Sequence, residues 1–199
     1  MKKLLLTLAL VFAPLPALAE PPAAQAALDE ARAKALASPQ SADMQLELVV
    51  ALARSPFSDQ AWDALTRLQG MDPDFGAHVA DRYEALVVAQ PGNAEARVRL
   101  ALGYYFRGDR EAARREMERA AAIAPDDPWI WDYLGYLQFE NFKTEPALAS
   151  WRRALAADPN NALAHYLIGQ ALYRQGHQND AAEELEKAAK ARAATSLRP

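Results

Sequence analysis

Histidine and acidic side chains are the groups in this sequence that could bind a metal or move protons. The three histidines, His78, His165 and His177, are never four residues apart, and none belongs to an H-E-x-x-H motif. The acidic segments PDDP (125–128) and DPNN (158–161) lack the alternating ligands and closing glutamate of a calcium loop and are typical of turns. We therefore predict no metal site and no cofactor.

Catalytic motifs are also missing from the sequence, which has no G-x-S-x-G nucleophile elbow and no glycine-rich phosphate loop. Aromatic side chains remain as candidates for a site, since six of the seventeen lie in PWIWDYLGYLQFENF, residues 128–142. Rigid aromatic residues are typical of binding hot spots, but at helical spacing they are equally typical of a packed core. The choice depends on the elements that carry them.

The segment 1–19 is predicted to be a cleavable signal peptide. Lys2 and Lys3 precede an apolar run, 4–12, that is too short to span a bilayer, and A-L-A at 17–19 suits signal peptidase. We expect cleavage after Ala19 and a periplasmic or secreted location. The sequence contains no cysteine, so we expect no lipid anchor and no disulfide.

The charge balance and composition limit the class of protein further. Removing residues 1–19 takes two lysines and no acid, leaving 20 basic and 26 acidic residues, a formal net charge of −6. Nucleic-acid binding requires a basic face, so no nucleic-acid partner is predicted. Alanine is abundant, glycine is scarce and β-branched residues are few, which predicts an all-α fold.

A period of 34 residues organises the second half of the chain. Five columns keep this step: Pro91, Pro125 and Pro159; Ala113, Ala147 and Ala181; Ala120, Ala154 and Ala188; Leu100, Leu134 and Ile168; Met117, Trp151 and Leu185. Each unit reads as two antiparallel helices, with a glycine ending the first helix and a proline ending the second. Small residues are expected where the two helices approach closely: Ala101, Gly135 and Gly169, facing Ala113, Ala147 and Ala181.

The second unit departs from this pattern at one turn. Phe142 stands where the other units have Gly108 and Gly176, so Asn141 is expected to be the left-handed residue and Phe142 to fill the boundary between units. Trp131 lies in a packing column and is predicted to be core.

These columns resemble the tetratricopeptide repeat. The second unit matches best, through Trp131, Leu134, Gly135, Ala147, Trp151, Ala154 and Pro159. The resemblance implies an all-α, right-handed superhelical solenoid of about five antiparallel helix pairs, with regular repeats at 94–127, 128–161 and 162–195. Residues 20–93 are predicted to hold two degenerate pairs, 25–58 and 59–93, with an insertion near 70–76, and 196–199 to form a tail.

The same resemblance implies a concave groove lined by the first helix of each repeat. Carried onto this sequence, the groove-facing places that we predict to bind a peptide are Tyr105, Phe106, Trp129, Asp132, Tyr136, Phe139, Glu140, Tyr166, Gln170, Tyr173 and Arg174. For Tyr105 and Phe139, burial against neighbouring helices is an equal alternative. The asparagines with which chaperone-binding members grip a C-terminal carboxylate are missing, so apolar contacts should dominate.

The function predicted from these features is a non-enzymatic periplasmic scaffold or adaptor that binds an extended or helical segment of another envelope protein. One alternative is a holdase-like chaperone for translocated polypeptides, which would use the same groove with little selectivity. Another is a small-ligand binder or enzyme, which would need convergent titratable groups. Self-association is a third, and the oligomeric state stays open.

Overall fold

A computed structural model of the chain describes residues 22–54 and 58–196, and within them every regular element is an α-helix. The ten helices are α1 Pro22–Ala37, α2 Ala42–Ala53, α3 Ser58–Met71, α4 Phe75–Ala89, α5 Ala94–Arg107, α6 Arg110–Ile123, α7 Pro128–Glu140, α8 Thr144–Ala157, α9 Ala162–Arg174 and α10 Gln178–Ser196. The predicted all-α fold of paired helices is confirmed. None of the helices in the described ranges is long and apolar enough to cross a membrane.

Several predictions from the sequence lie outside the described residues. These are the signal peptide at 1–19, its cleavage after Ala19 and the end of the tail at 197–199. In its described residues the chain forms two compact units, one of residues 22–54 and 58–73 with 192–196 and one of residues 74–191. The predicted helix pair 59–93 spans the division at residue 73, and its pairing stays a prediction.

In the first unit, α1 packs on α2 and α2 packs on α3. Leucines from all three helices form its core, because Leu28, Leu46 and Leu68 are each at most 1 % exposed. Helix α2 begins at Ser41, whose Oγ accepts a hydrogen bond from Met44 N at 3.4 Å and so satisfies a free N–H of the first turn.

The second unit carries the regular repeats, and each first helix begins in the same way. The three N-caps Asn93, Asp127 and Asn161 are 34 residues apart, and each accepts a backbone N–H of the helix that follows. Because these caps recur at one place in the period, α5, α7 and α9 leave their turns with the same geometry.

A second bond recurs at the place where the resemblance expects tryptophan. There a side-chain nitrogen lies within hydrogen-bonding distance of the carbonyl oxygen of the proline six residues earlier. The three contacts are Arg97 Nη2 to Pro91 at 2.9 Å, Trp131 Nε1 to Pro125 at 2.7 Å and His165 Nε2 to Pro159 at 3.3 Å. Three different side chains thus tie the first helix to the turn before it. Trp131 was predicted to be a core residue, but it is only half-buried.

In the first and third repeats, the same side chain also reaches a carboxylate on the second helix. Arg97 Nη1 lies 2.8 Å from Glu116 Oε2, and His165 Nδ1 lies 2.6 Å from Glu184 Oε2. In the second repeat the equivalent carboxylate is replaced by Ser150, which donates to Gln138 Oε1 at 2.7 Å. A polar link between the two helices is therefore kept while its chemistry changes.

The close approach of α7 and α8 depends on Gly135. A Cβ atom at this position would lie 2.6 Å from Cδ1 of Trp151, whose side chain is fully buried and donates Nε1–H to Asp132 O at 3.1 Å. Gly135 was expected to face Ala147, but the residue that requires its missing side chain is Trp151. Gly169 occupies the same column in the third repeat. A Cβ atom at this position would lie 2.9 Å from Leu185 Cγ and 3.2 Å from Ala181 O.

The turn between the helices of each repeat contains one residue in the left-handed region. Gly108 has φ 94° and Gly176 has φ 85°, as expected for glycine. In the second repeat the left-handed residue is Phe142, with φ 59°, whereas Asn141 has φ −89°. The prediction that Asn141 adopts this conformation is therefore wrong. Phe142 is also 95 % exposed, so it does not fill the boundary between units.

Replacing Gly135 with alanine should destabilise the protein. The added methyl group forces the Trp151 indole to move, a loss of about 1–3 kcal/mol that the better helix propensity of alanine offsets only in part. The measurement is the free energy of unfolding by urea titration. Gly92→Ala is the control, since a Cβ there meets no atom within 4 Å and should leave the value almost unchanged. Equal stabilities of the two variants would contradict this packing.

Candidate peptide-binding surface

Most of the predicted aromatic site belongs to a row of contacting rings that joins α4, α5 and α7. The ring centroids follow one another at 4.9 to 6.4 Å, in the order Phe75, Phe106, Tyr105, Tyr136, Tyr133 and Trp129. The hydroxyl oxygens of Tyr105 and Tyr136 lie 3.3 Å apart in the interior. Helical phase directs these rings toward the adjacent helices, so their main role is to hold repeats together.

Burial removes three of the predicted residues from the surface. Tyr105 is 8 % exposed, Tyr136 is 3 % exposed and Asp132 is 4 % exposed. Their predicted direct contact with a peptide does not fit this arrangement, because their side chains are almost fully removed from solvent. For Tyr105, the alternative of burial is the one that the structure supports.

Asp132 occupies an unusual environment for a carboxylate. Its Oδ2 accepts from Asn161 Nδ2 at 2.7 Å, while Oδ1 is buried without a hydrogen-bond partner in the described part of the chain. Burial raises the pKa of Asp132 to about 8; the Asn161 bond opposes this, and the charges of Asp158 and Asp127 add to it. The group is therefore held mainly in its protonated form at neutral pH and links the second repeat to the third.

Asp132 should make stability depend on pH. Because its native pKa lies above the ordinary value of 3.8, the folded protein keeps a proton that the unfolded chain releases. Its stabilising contribution is complete below about pH 4 and is lost as pH rises to about 8, with a slope of at most about 1.4 kcal/mol per pH unit.

The measurement compares wild type with Asp132→Asn, which keeps an acceptor for Asn161 but cannot ionise. The difference between their free energies of unfolding should move in favour of the variant as pH rises from about 5 to about 8. Other titrating groups cancel in this difference. A difference that stays constant over the range would show that Asp132 does not bind the proton differently in the two states.

The accessible part of the predicted site lies on α9 and the end of α7. We define the α9 surface as Tyr166, Gln170, Tyr173 and Arg174, together with Phe139. Gln170 Nε2 donates to the Tyr166 hydroxyl at 2.5 Å, and the Arg174 guanidinium lies 4.9 Å from the Phe139 ring centroid. Tyr173 is 65 % exposed and Arg174 is exposed, whereas the other three are half-buried. The remaining predicted residues, Phe106, Trp129 and Glu140, are half-buried outside this cluster.

One aromatic column shows how exposure changes along the repeats. Tyr105, Phe139 and Tyr173 are 34 residues apart, and they are buried, half-buried and 65 % exposed, respectively. The Phe139 ring contacts Trp151 at 5.6 Å between centroids as well as Arg174, whereas Tyr105 is enclosed by Phe106, Tyr133 and Tyr136. The periodic place is thus the same, but its contribution to the surface is not.

Two features of this region were missed from the sequence. Tyr133, for which no role was predicted from the sequence, is stacked parallel to Trp129 with 5.6 Å between ring centroids. Phe142 was expected to be packed and is the most exposed large apolar residue of the described ranges. The exposure of Phe142 could have been predicted from its place in the column of turn glycines Gly108 and Gly176, where a side chain projects away from both helices. Among the residues that the structure describes, no group of three potential ligands could hold a metal ion.

Comparison with known protein families identifies the repeats. Models of the tetratricopeptide repeat match residues 94–137 and 162–195, and a TPR repeat model matches residues 143–176. The human and mouse PEX5-related proteins are each 34 % identical to this chain over 70 residues, 35 % of its length. The matched segment spans only 11 % and 12 % of those two relatives.

One solved structure supports the fold, and a second serves for comparison only. A structure titled MamA MSR-1 C2 matches with a TM-score of 0.52 at 17 % identity, covering 84 % of this chain and 92 % of that one. A crystal structure of MamA has a TM-score of 0.49 at 17 % identity and covers 82 % of this chain and 85 % of that one. At this identity, the first similarity concerns the fold alone.

The chain is thus an α-helical repeat protein whose helix pairs stack through a common set of contacts. Residues 94–137 and 143–195 match the tetratricopeptide repeat, so this part of the chain consists of tetratricopeptide repeats. Repeats of this family form scaffolds for protein–protein interaction and are typically non-enzymatic, and at this level the function of the chain is defined.

Proposed function

We propose that the chain is an exported, non-enzymatic adaptor that binds a peptide segment of another envelope protein on the α9 surface. The observation that carries this proposal is the combination of an exposed Tyr173 and an exposed Arg174 beside Phe139. Aromatic and arginine side chains that lie in one cluster provide apolar contact area and a fixed charge for orientation. The scaffold role of the repeats supports a protein as the ligand.

The spacing along α9 favours a segment that runs along the helix. Tyr166, Gln170 and Tyr173 lie at helical positions that share one face, so an extended or helical peptide meets all three at once. Arg174 adds a guanidinium that would pair with an acidic side chain of the peptide. The predicted contribution of Asp132 and Tyr136 is not part of this proposal, since both are buried.

The α9 surface can be tested with Tyr166→Ala/Tyr173→Ala in the full chain. The wild-type protein first captures its partners from the periplasmic fraction, and affinity for the recovered partner is then measured by calorimetry. The double variant should bind at least about tenfold more weakly, because it removes two aromatic contacts.

Val88→Ala is the matched control, since Val88 is 81 % exposed on α4 and away from α9. It should bind as wild type does. One or two specific partners would support an adaptor, whereas many unfolded clients would favour a holdase. Unchanged affinity of the double variant would rule out the α9 surface.

Export can be tested by the mass of the mature protein. If the signal-peptide prediction holds, the protein from the periplasmic fraction should begin at Glu20, because signal peptidase cleaves after small residues such as those at 17–19. The measurement is intact-mass spectrometry after cell fractionation. Ala19→Tyr is expected to block cleavage and to leave the full-length precursor in the membrane fraction. A full-length protein in the cytoplasm would contradict export.

A further inference from the structure

The turn formed by Asn141, Phe142 and Lys143 is energetically unfavourable at each of its three residues. Phe142 is the only non-glycine residue with positive φ in the described ranges, a conformation in which Cβ crowds the backbone. The amide Nδ2 of Asn141 is buried and has no hydrogen-bond partner among the described residues. Lys143 occupies the N-cap of α8 without making a side-chain cap.

The equivalent turn of the first repeat shows what a stable solution would be. There Gly108 adopts φ 94° without a side chain, and Asp109 caps α6 by accepting the Ala112 N–H at 3.0 Å. In the second repeat, glycine is replaced by an aromatic residue and a capping acid by a base. The second repeat thus keeps several unfavourable local conformations at one surface turn, although the first repeat has a more stable turn at the same place. Such local instability is typical of a functional site.

The two replacements also give the turn a distinctive surface. The side chain of Phe142 is 95 % exposed at the tip of a tight turn, so it projects as a convex knob. Beside it, Lys143 is exposed, and the first turn of α8 lacks a side-chain cap. The nearby carboxylate of Glu145 already accepts a hydrogen bond from Gln175 Nε2 at 3.0 Å. An apolar knob is thus combined with positive charge.

We propose that Phe142 and Lys143, the Phe142 knob, insert into an apolar pocket rimmed by carboxylates on a folded partner protein. The convex shape requires a concave partner, and exposed aromatic residues are enriched at the centre of protein interfaces. Lys143 and the uncapped start of α8 favour acidic groups at the rim. The inference rests on the protein-binding role of the repeats but uses a surface other than the α9 surface.

The knob can be tested by site-specific photocrosslinking in cells that make the full chain. Phe142→p-benzoylphenylalanine places the probe on the knob, and Gly108→p-benzoylphenylalanine places it on the equivalent turn of the first repeat, where there is open space. Irradiation should give one dominant adduct from position 142 that is missing from position 108. Mass spectrometry should map it to apolar residues flanked by Asp or Glu. An adduct with a second copy of this chain, equal adducts from both positions or no adduct would overturn the proposal.

Two variants then separate binding from turn stability. Phe142→Gly and Lys143→Asp restore the sequence of the first repeat, so each should raise the melting temperature. Each should also weaken binding of the crosslinked partner, by at least about tenfold for Phe142→Gly. A purely structural turn would give higher melting temperatures with unchanged affinity, and that result would overturn the proposal. If only the proposal for the α9 surface is wrong, the Tyr166→Ala/Tyr173→Ala variant binds its partner normally, while the two turn variants still weaken binding of the crosslinked partner. The two proposals can therefore fail separately.

Discussion

The second repeat depends on the close contact between Gly135 and Trp151. Because glycine leaves room for an indole between α7 and α8, the fully buried Trp151 can reach both helices and donate to the Asp132 carbonyl. The same indole contacts the ring of Phe139, and the Arg174 guanidinium also lies over that ring. The interior of one repeat is therefore connected to the accessible surface of the next through three side chains in contact.

This connection explains why the accessible surface is smaller than a repeat pattern suggests. The rings of Tyr105, Tyr133 and Tyr136 are used to join repeats, and the buried carboxyl of Asp132 accepts a hydrogen bond from Asn161 at the start of α9. Side chains that hold the stack together are not free to contact a ligand. The two surfaces proposed for recognition, α9 and one turn, are small, so they would select a partner by a few contacts.

Much of the fold could be predicted from the sequence, because the columns of Ala113, Met117 and Ala120 repeat at helical spacing and a fixed period. The accessible site was predicted less well. Tyr136 and Tyr173 both occupy groove positions of the family, but Tyr136 is buried beside Tyr105 of the preceding repeat, whereas Tyr173 is exposed. The left-handed Phe142 could not be predicted from propensity, since asparagine beside it is the more favourable residue for that conformation.

Arginine, tryptophan and histidine make the same contact with a proline carbonyl in successive repeats, although they differ in size, charge and shape. The place therefore selects for a nitrogen at the right distance rather than for an indole. A repeat can lose its most recognisable residue in evolution and keep its connection to the preceding turn. Diverged members of such arrays should be easier to detect by hydrogen-bonding capacity at this column than by residue identity.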